Sequence, residues 1–331
     1  MTQDDSPPPS TRPLQKLSGP ILIVALGLAL YLPGLRWGLP SVVSWSQDTI
    51  AGVRTLGAVD GWPGDWKGRY PPLHYFVLRA AYEPLLAHWT TTGERVVDPD
   101  SGKSSLSPPH APKIGQLTLI ARATTVVMAI LAGLGLWAAA RRLLHDELAA
   151  CVAAAAMMTG AGFTYFAHLG NVDVPSVCWF AWSVYFYVRL IESRRIADAA
   201  LLGLFAALAV STKDAVGGMY PGMALFLLIQ EVRYRRRSAG GKAWRSLVQP
   251  RWFVGLIAFA LPFVIINGLF ANPDAYFTRI GGWLDPAPNA HLAHELRHTD
   301  FISLAAATLH HAAGAVGWPM LIALAIGVAW T

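Results

Sequence analysis

The sequence predicts an all-α, polytopic membrane protein, and three observations carry that expectation. First, the residues AVILMFWYC make up 54% of the chain against 14% for DEKR, with a mean hydropathy of +0.40. A soluble domain carries about 25% charged residues, so this chain lacks the charge for a surface wholly in water. Second, apolar runs close to the roughly 20 residues that span a bilayer recur along it. Third, its lysines and arginines gather at the ends of those runs. The net charge of +6 and the pI near 9.4 therefore read as membrane orientation and not as phosphate-backbone binding. Cys151 and Cys178 both fall in predicted helices and read as small packing residues, with no disulfide framework or metal knuckle around them.

Residues 1–16 are polar and proline-rich and predict a short disordered cytoplasmic tail; residues 17–331 read as one transmembrane domain. The apolar run 17–35 has no small-residue cleavage site after it and reads as a retained anchor. A large first outer loop follows, about 36–116. Within it, 70–88 is a mainly apolar stretch interrupted by Arg79, Glu83 and Pro84, which predicts an interfacial helix. Helical spans are expected over 117–140, 148–168, 174–190, 197–211, 215–230 and 252–270. A second large outer segment covers about 271–313, and the last run, 314–331, has no closing turn or cap, so the chain reads as ending inside an eighth helix.

Charge placement predicts the orientation. With the N-terminus in the cytoplasm, the inner segments hold Arg12 and Lys16, then Arg141 and Arg142, then Arg189, Arg194 and Arg195, then the basic cluster from Arg233 to Arg251. The short outer turns hold Lys213 alone, as the positive-inside rule requires. The expected location is the plasma (inner) membrane.

That topology puts Asp48 (in SWSQDTI), Asp173 (in HLGNVDVPS), Lys213 and Asp214 (in STKDAVGG) at the outer face. Ionisable groups at such depths are retained where they face a cavity or one another. Each also has a plainer reading: Asp173 could cap the helix that follows it, and Lys213 could snorkel to the headgroups.

The order of these features resembles the GT-C superfamily of membrane glycosyltransferases, in the branch of protein mannosyltransferases and lipid A aminoarabinose transferases. The resemblance rests on GLPSVVSWSQD opening the outer loop, RYPPLHYFVLRAAY within it, and ARATTVVMAILAGLGLWAAARRLL with its paired basic residues. It continues through FTYFAHLGNVDVPSVCWFAW, with an Asp closely followed by Pro, and LAVSTKDAVGGMYPGMALFLL. What it implies is a GT-C-type bundle that moves a sugar from a polyprenyl-phosphate carrier to a protein, lipid or glycan acceptor on the extracytoplasmic side. Carried over residue by residue, Asp48 matches the first-loop acid and is the candidate general base, and Asp173 matches the second acid. Arg69 and Lys213 become candidates for the donor phosphate, and His74, His168 and Asn171 for substrate binding, though His74 and His168 could equally be interfacial polar residues. Many relatives carry a second acid directly after the first, and here that position is Thr49; no metal ligands are assigned, and a divalent cation stays open as a cofactor.

His291, His294 and His298 have helical spacing but no acidic partner or metal motif, so they read as loop residues. The aromatic residues Trp45, Trp62, Trp66, Tyr70 and Tyr75 suit either sugar stacking or an interfacial belt. No Gly-rich phosphate loop is present, which argues against a nucleotide-sugar donor. The rival readings are a transporter or flippase of lipid-linked precursors and a non-catalytic relative. Against the first stand the grouping of charges at one face and the lack of an internal repeat.

Overall fold

The computed structural model describes residues 13–40, 48, 50–63, 66, 70–97, 104–238, 249–284, 306 and 309–310. The seven apolar runs up to residue 270 are all helical. In chain order the elements are α1 (Pro13–Tyr31), α2 (Val53–Asp60), α3 (Leu73–Thr91), β1 (Arg95–Val97), β2 (Ser104–Leu106), α4 (His110–Leu144), α5 (Glu147–Thr159) and α6 (Ala161–Ala167). Then follow α7 (Asp173–Ser193), α8 (Ile196–Val210), a 3-10 turn (Asp214–Met219), α9 (Tyr220–Ser238), α10 (Pro250–Ile266) and α11 (Pro273–Leu284). The all-α membrane class holds, with one small addition inside the first loop: β1 and β2 pair antiparallel, Val96 opposite Ser105. The expected last helix, 314–331, lies outside the described residues.

Among the described residues three segments are long and apolar enough to cross a bilayer, His110–Leu144, Asp173–Ser193 and Asp214–Tyr234, and α5 with α6, bent by 67°, adds a fourth if the pair is one span. The apolar helices within Ser18–Tyr31, Ile196–Val210 and Pro250–Ile266 are shorter. The chain is a multi-pass membrane protein. The expected single span 148–168 is thus two pieces. Gly160 ends α5 and starts α6 with extended backbone (φ −56°, ψ 131°), and the Thr164 hydroxyl turns back to the Met158 carbonyl at 2.9 Å.

Small residues let the helices approach. A Cβ on Gly203 of α8 would lie 2.1 Å from the Gly255 carbonyl oxygen of α10, and one on Gly135 of α4 would lie 3.2 Å from Ala181 of α7. Bulk apolarity gives helices no reason to associate in lipid, so such close backbone packing supplies the attraction.

α4 is the axis. At about 1.5 Å rise per residue its 35 residues extend about 52 Å, well beyond the roughly 30 Å of a hydrocarbon core. Its first turns therefore project from the bundle and carry the folded first loop. The interfacial helix expected over 70–88 is α3, and its stripe Tyr75, Leu78, Tyr82, Leu86 and Trp89 is buried against Leu117 and Ala121 of α4, Leu56 of α2 and Ile50 before it. The helix is held by protein as well as by any headgroup layer. Lys113 fastens the hairpin to the same helix, donating to the Ser107 carbonyl at 2.7 Å and pairing with Glu94 at 3.1 Å.

The other end of the bundle is rich in arginine. Arg141 pairs with Glu147 at 2.8 Å, Arg142 with Glu192 at 2.6 Å, and Arg189 with Asp198 at 2.9 Å. α1 starts at this end, where Gly19 packs against Trp137 and Glu147. Arg141, Arg142 and Arg189, which the charge pattern assigns to one side, are therefore together.

Candidate active site

The loop-bearing end holds a continuous chain of polar groups. Its first link is Arg122, placed by α4 at the level where α1 leaves the bundle. The Arg122 guanidinium donates from Nε to Asp48 Oδ1 at 3.3 Å and from Nη2 to Asp48 Oδ2 at 2.7 Å. Its Nη1 donates to the Leu35 and Trp37 carbonyls at 3.0 and 2.7 Å. Asp48 is fully buried and Arg122 is 2% exposed. Arginine suits this place because its planar fork serves a carboxylate bidentately with donors to spare.

Asp48 Oδ1 also accepts the Gly170 N–H at 2.7 Å, which links the first loop to the turn between α6 and α7. In that turn Asn171, 2% exposed, accepts the Asp173 N–H on Oδ1 at 3.1 Å. Asp173 opens α7, where a negative charge also suits the helix dipole. Its Oδ1 accepts from Lys213 Nζ. The pair is partly open, with side-chain exposures of 30% for Asp173 and 32% for Lys213. The next residue, Asp214, pairs instead with Arg279 of α11. Arg279 also donates to Asn267 Oδ1 at 3.3 Å, and Asn267 Nδ2 donates to the Ser211 hydroxyl at 3.0 Å. The 3-10 turn thus ties α7 to α11.

Four of the residues singled out from sequence, Asp48, Asn171, Asp173 and Lys213, belong to this chain of contacts. Arg122, Asp214 and Arg279 complete it; of these, Asp214 was marked by its outer position and the two arginines were not marked at all. Arg69 lies outside the described residues, as do Trp45, His291, His294 and His298. His168 ends α6 and bridges the carbonyls of Thr164 (2.8 Å) and Pro33 (3.1 Å), so here it fastens α6 to the exit of α1. Trp62 and Trp66 are half-buried, in T-shaped contact with Phe76 and Tyr75 respectively.

His74 is fully buried, and neither ring nitrogen has a hydrogen-bond partner among the described residues. Burial pushes its imidazole down to about 3, so it is neutral when folded, whereas in the unfolded chain it titrates near 6.5. Between those values the unfolded state holds more protons, so stability falls as pH drops below about 6.5. From pH 7.5 to 5.5 the loss amounts to about 1.4 kcal/mol. In detergent, wild type is expected to lose more thermal stability over that interval than His74→Leu; equal losses would contradict this account of His74.

Asp48 faces Arg122 and Asp173 faces Lys213. Among the described residues no three His, Cys, Asp or Glu side chains converge.

No curated protein matches the chain. A family model does: residues 113–267, just under half of the length, match the family described as dolichyl-phosphate-mannose-protein mannosyltransferase. The matched stretch runs from the projecting end of α4 through Arg122, Asp173 and Lys213 to Asn267. Over that stretch the chain is similar to this mannosyltransferase family, in keeping with the GT-C resemblance read from the sequence.

Proposed function

We propose that the chain transfers a sugar from a polyprenyl-phosphate carrier to an acceptor on the extracytoplasmic side, at the Asp173–Lys213 pair. The observation that carries this is the half-open Asp173–Lys213 pair, set at the loop-bearing end beside a rigid Arg122–Asp48 anchor. Depth supports it. The stretch from Arg122 to Leu144 rises about 33 Å and α7 about 31 Å, each close to the hydrocarbon thickness. With the arginine-rich end in the cytoplasm, these acids then lie level with the outer headgroups, where a lipid-linked donor carries its phosphate.

In the reaction the acceptor hydroxyl oxygen attacks the anomeric carbon, and the bond from that carbon to the phosphate oxygen breaks. The hydroxyl proton passes to a carboxylate, and polyprenyl phosphate leaves with the bonding electron pair. Lys213 is the cation suited to the leaving phosphate. The resemblance gives the base role to Asp48. Its burial and its contacts with Arg122 and Gly170 favour a different division: Asp48 holds the turn 169–173 in place, and Asp173, within reach of an acceptor, takes the proton.

Membranes carrying the protein test this reading when given labelled polyprenyl-phosphate mannose beside nucleotide-linked mannose. Label should leave the lipid phase only with the first donor. Use of the nucleotide donor, or passage of the intact lipid donor across the bilayer without cleavage, would overturn the proposal, the second outcome in favour of the flippase.

A further inference from the structure

The arginine-rich end contains a cavity that glycosyl transfer does not use. It measures about 230 Å³ and lies between the ends of α7, α9 and α10. Arg194, Arg233 and Arg251 line it, with Glu231 as the only acid among the described lining residues. Glu231 bridges two of the arginines, at 2.9 Å to Arg194 and 2.7 Å to Arg251. Arg251 and Glu231 are 7% and 5% exposed. Two guanidinium groups thus share one sheltered carboxylate.

The walls give the cavity a second character. Leu190 and Leu227 line it on the side toward the bundle's middle. α9 is scarcely covered by protein: only 6% of its apolar window is buried, and Leu225, Phe226 and Leu228 are exposed. The cavity therefore sets a cluster of arginines beside the exposed apolar side chains of α9. A soluble anion would complement only the first of these.

We infer that this cavity binds the phosphate headgroup of an anionic phospholipid, with an acyl chain lying along α9. The arginines supply bidentate contacts to phosphate oxygens, and the apolar walls receive the first methylenes of the chain. The site is separate from the sugar-transfer site and faces the opposite leaflet.

The test is retention of lipid by the purified full chain. Detergent-solubilised protein is exposed to phosphatidylglycerol or phosphatidylcholine vesicles and followed by native mass spectrometry and thermal unfolding. Phosphatidylglycerol should be kept in preference and should raise the unfolding temperature. Arg251→Gln should lower that retention about fivefold. Because Arg251 also braces Glu231, Arg233→Gln, at an exposed position, serves as the second variant; it should weaken retention while leaving unfolding in phosphatidylcholine unchanged. Leu227→Trp, which fills the cavity without touching charge, should abolish the preference. Equal retention of the two lipids would overturn the inference. So would protection by inorganic phosphate equal to that by phosphatidylglycerol, which would assign the site to a soluble anion.

Discussion

Arg122→Gln is expected to destabilise the fold by about 3–5 kcal/mol, because it leaves Asp48 buried with its main partner gone. Few single substitutions in this chain should cost more. Asp48 is fully enclosed, and Arg122 also holds the Leu35 and Trp37 carbonyls, so the change frees the first loop from α4 as well. Asp48→Asn should fall in the same range, since it strands the guanidinium. The double variant should lose less than the sum of the two, because neither charge is then alone. Arg122→Lys should lie between, with three donors and no planar fork. Thermal unfolding in detergent across the four proteins of the cycle measures the coupling. Strict additivity would show that the pair does not hold the loop.

Asp173→Asn should reduce sugar transfer about 10²–10⁴-fold, the range for removing a general base. Its effect on stability should be small. Asp173 and Lys213 are each about a third exposed, and ion pairs in water contribute at most about 1 kcal/mol. Loss of activity with the fold intact separates Asp173 from Asp48, for which activity and stability should fall together. Lys213→Met should also lower turnover, by about 10²–10³-fold, if it answers the charge that grows on the leaving phosphate. A variant that keeps wild-type turnover at either position would remove that residue from the chemistry.

The fold was largely legible because hydrophobicity in a membrane protein is written as long runs. α3 was visible too, since a short apolar stretch broken by Arg79, Glu83 and Pro84 fits a helix lying across a surface better than a span. The bend at Gly160 was missed because a glycine within an apolar run reads equally well as a packing residue. The site was legible by half. Asp173 and Lys213 stood out as charges in short turns between helices, and the spatial pairing of the two follows from α7 and α8 being neighbours. Arg122 did not stand out, though it offered a signal: an arginine inside a spanning run, in ARATTVV, must have a buried partner. Its partner is 74 residues away, in a loop that only the packing of α2 and α3 on α4 positions. The same logic marks Glu231, an acid near the end of α9 that two arginines from other helices enclose. Arg279 gave no such warning, because nothing in its local sequence tells an α11 that returns to the 3-10 turn from an outer loop helix in solvent.

The most direct measurement is the fate of the donor's sugar–phosphate bond on purified protein in vesicles. With labelled polyprenyl-phosphate mannose and a membrane-protein acceptor fraction, free polyprenyl phosphate should appear in step with acceptor-bound sugar, and Asp173→Asn should suppress both together. Donor that crosses the bilayer with its bond intact, or cleavage that proceeds at the wild-type rate in Asp173→Asn, would contradict the account.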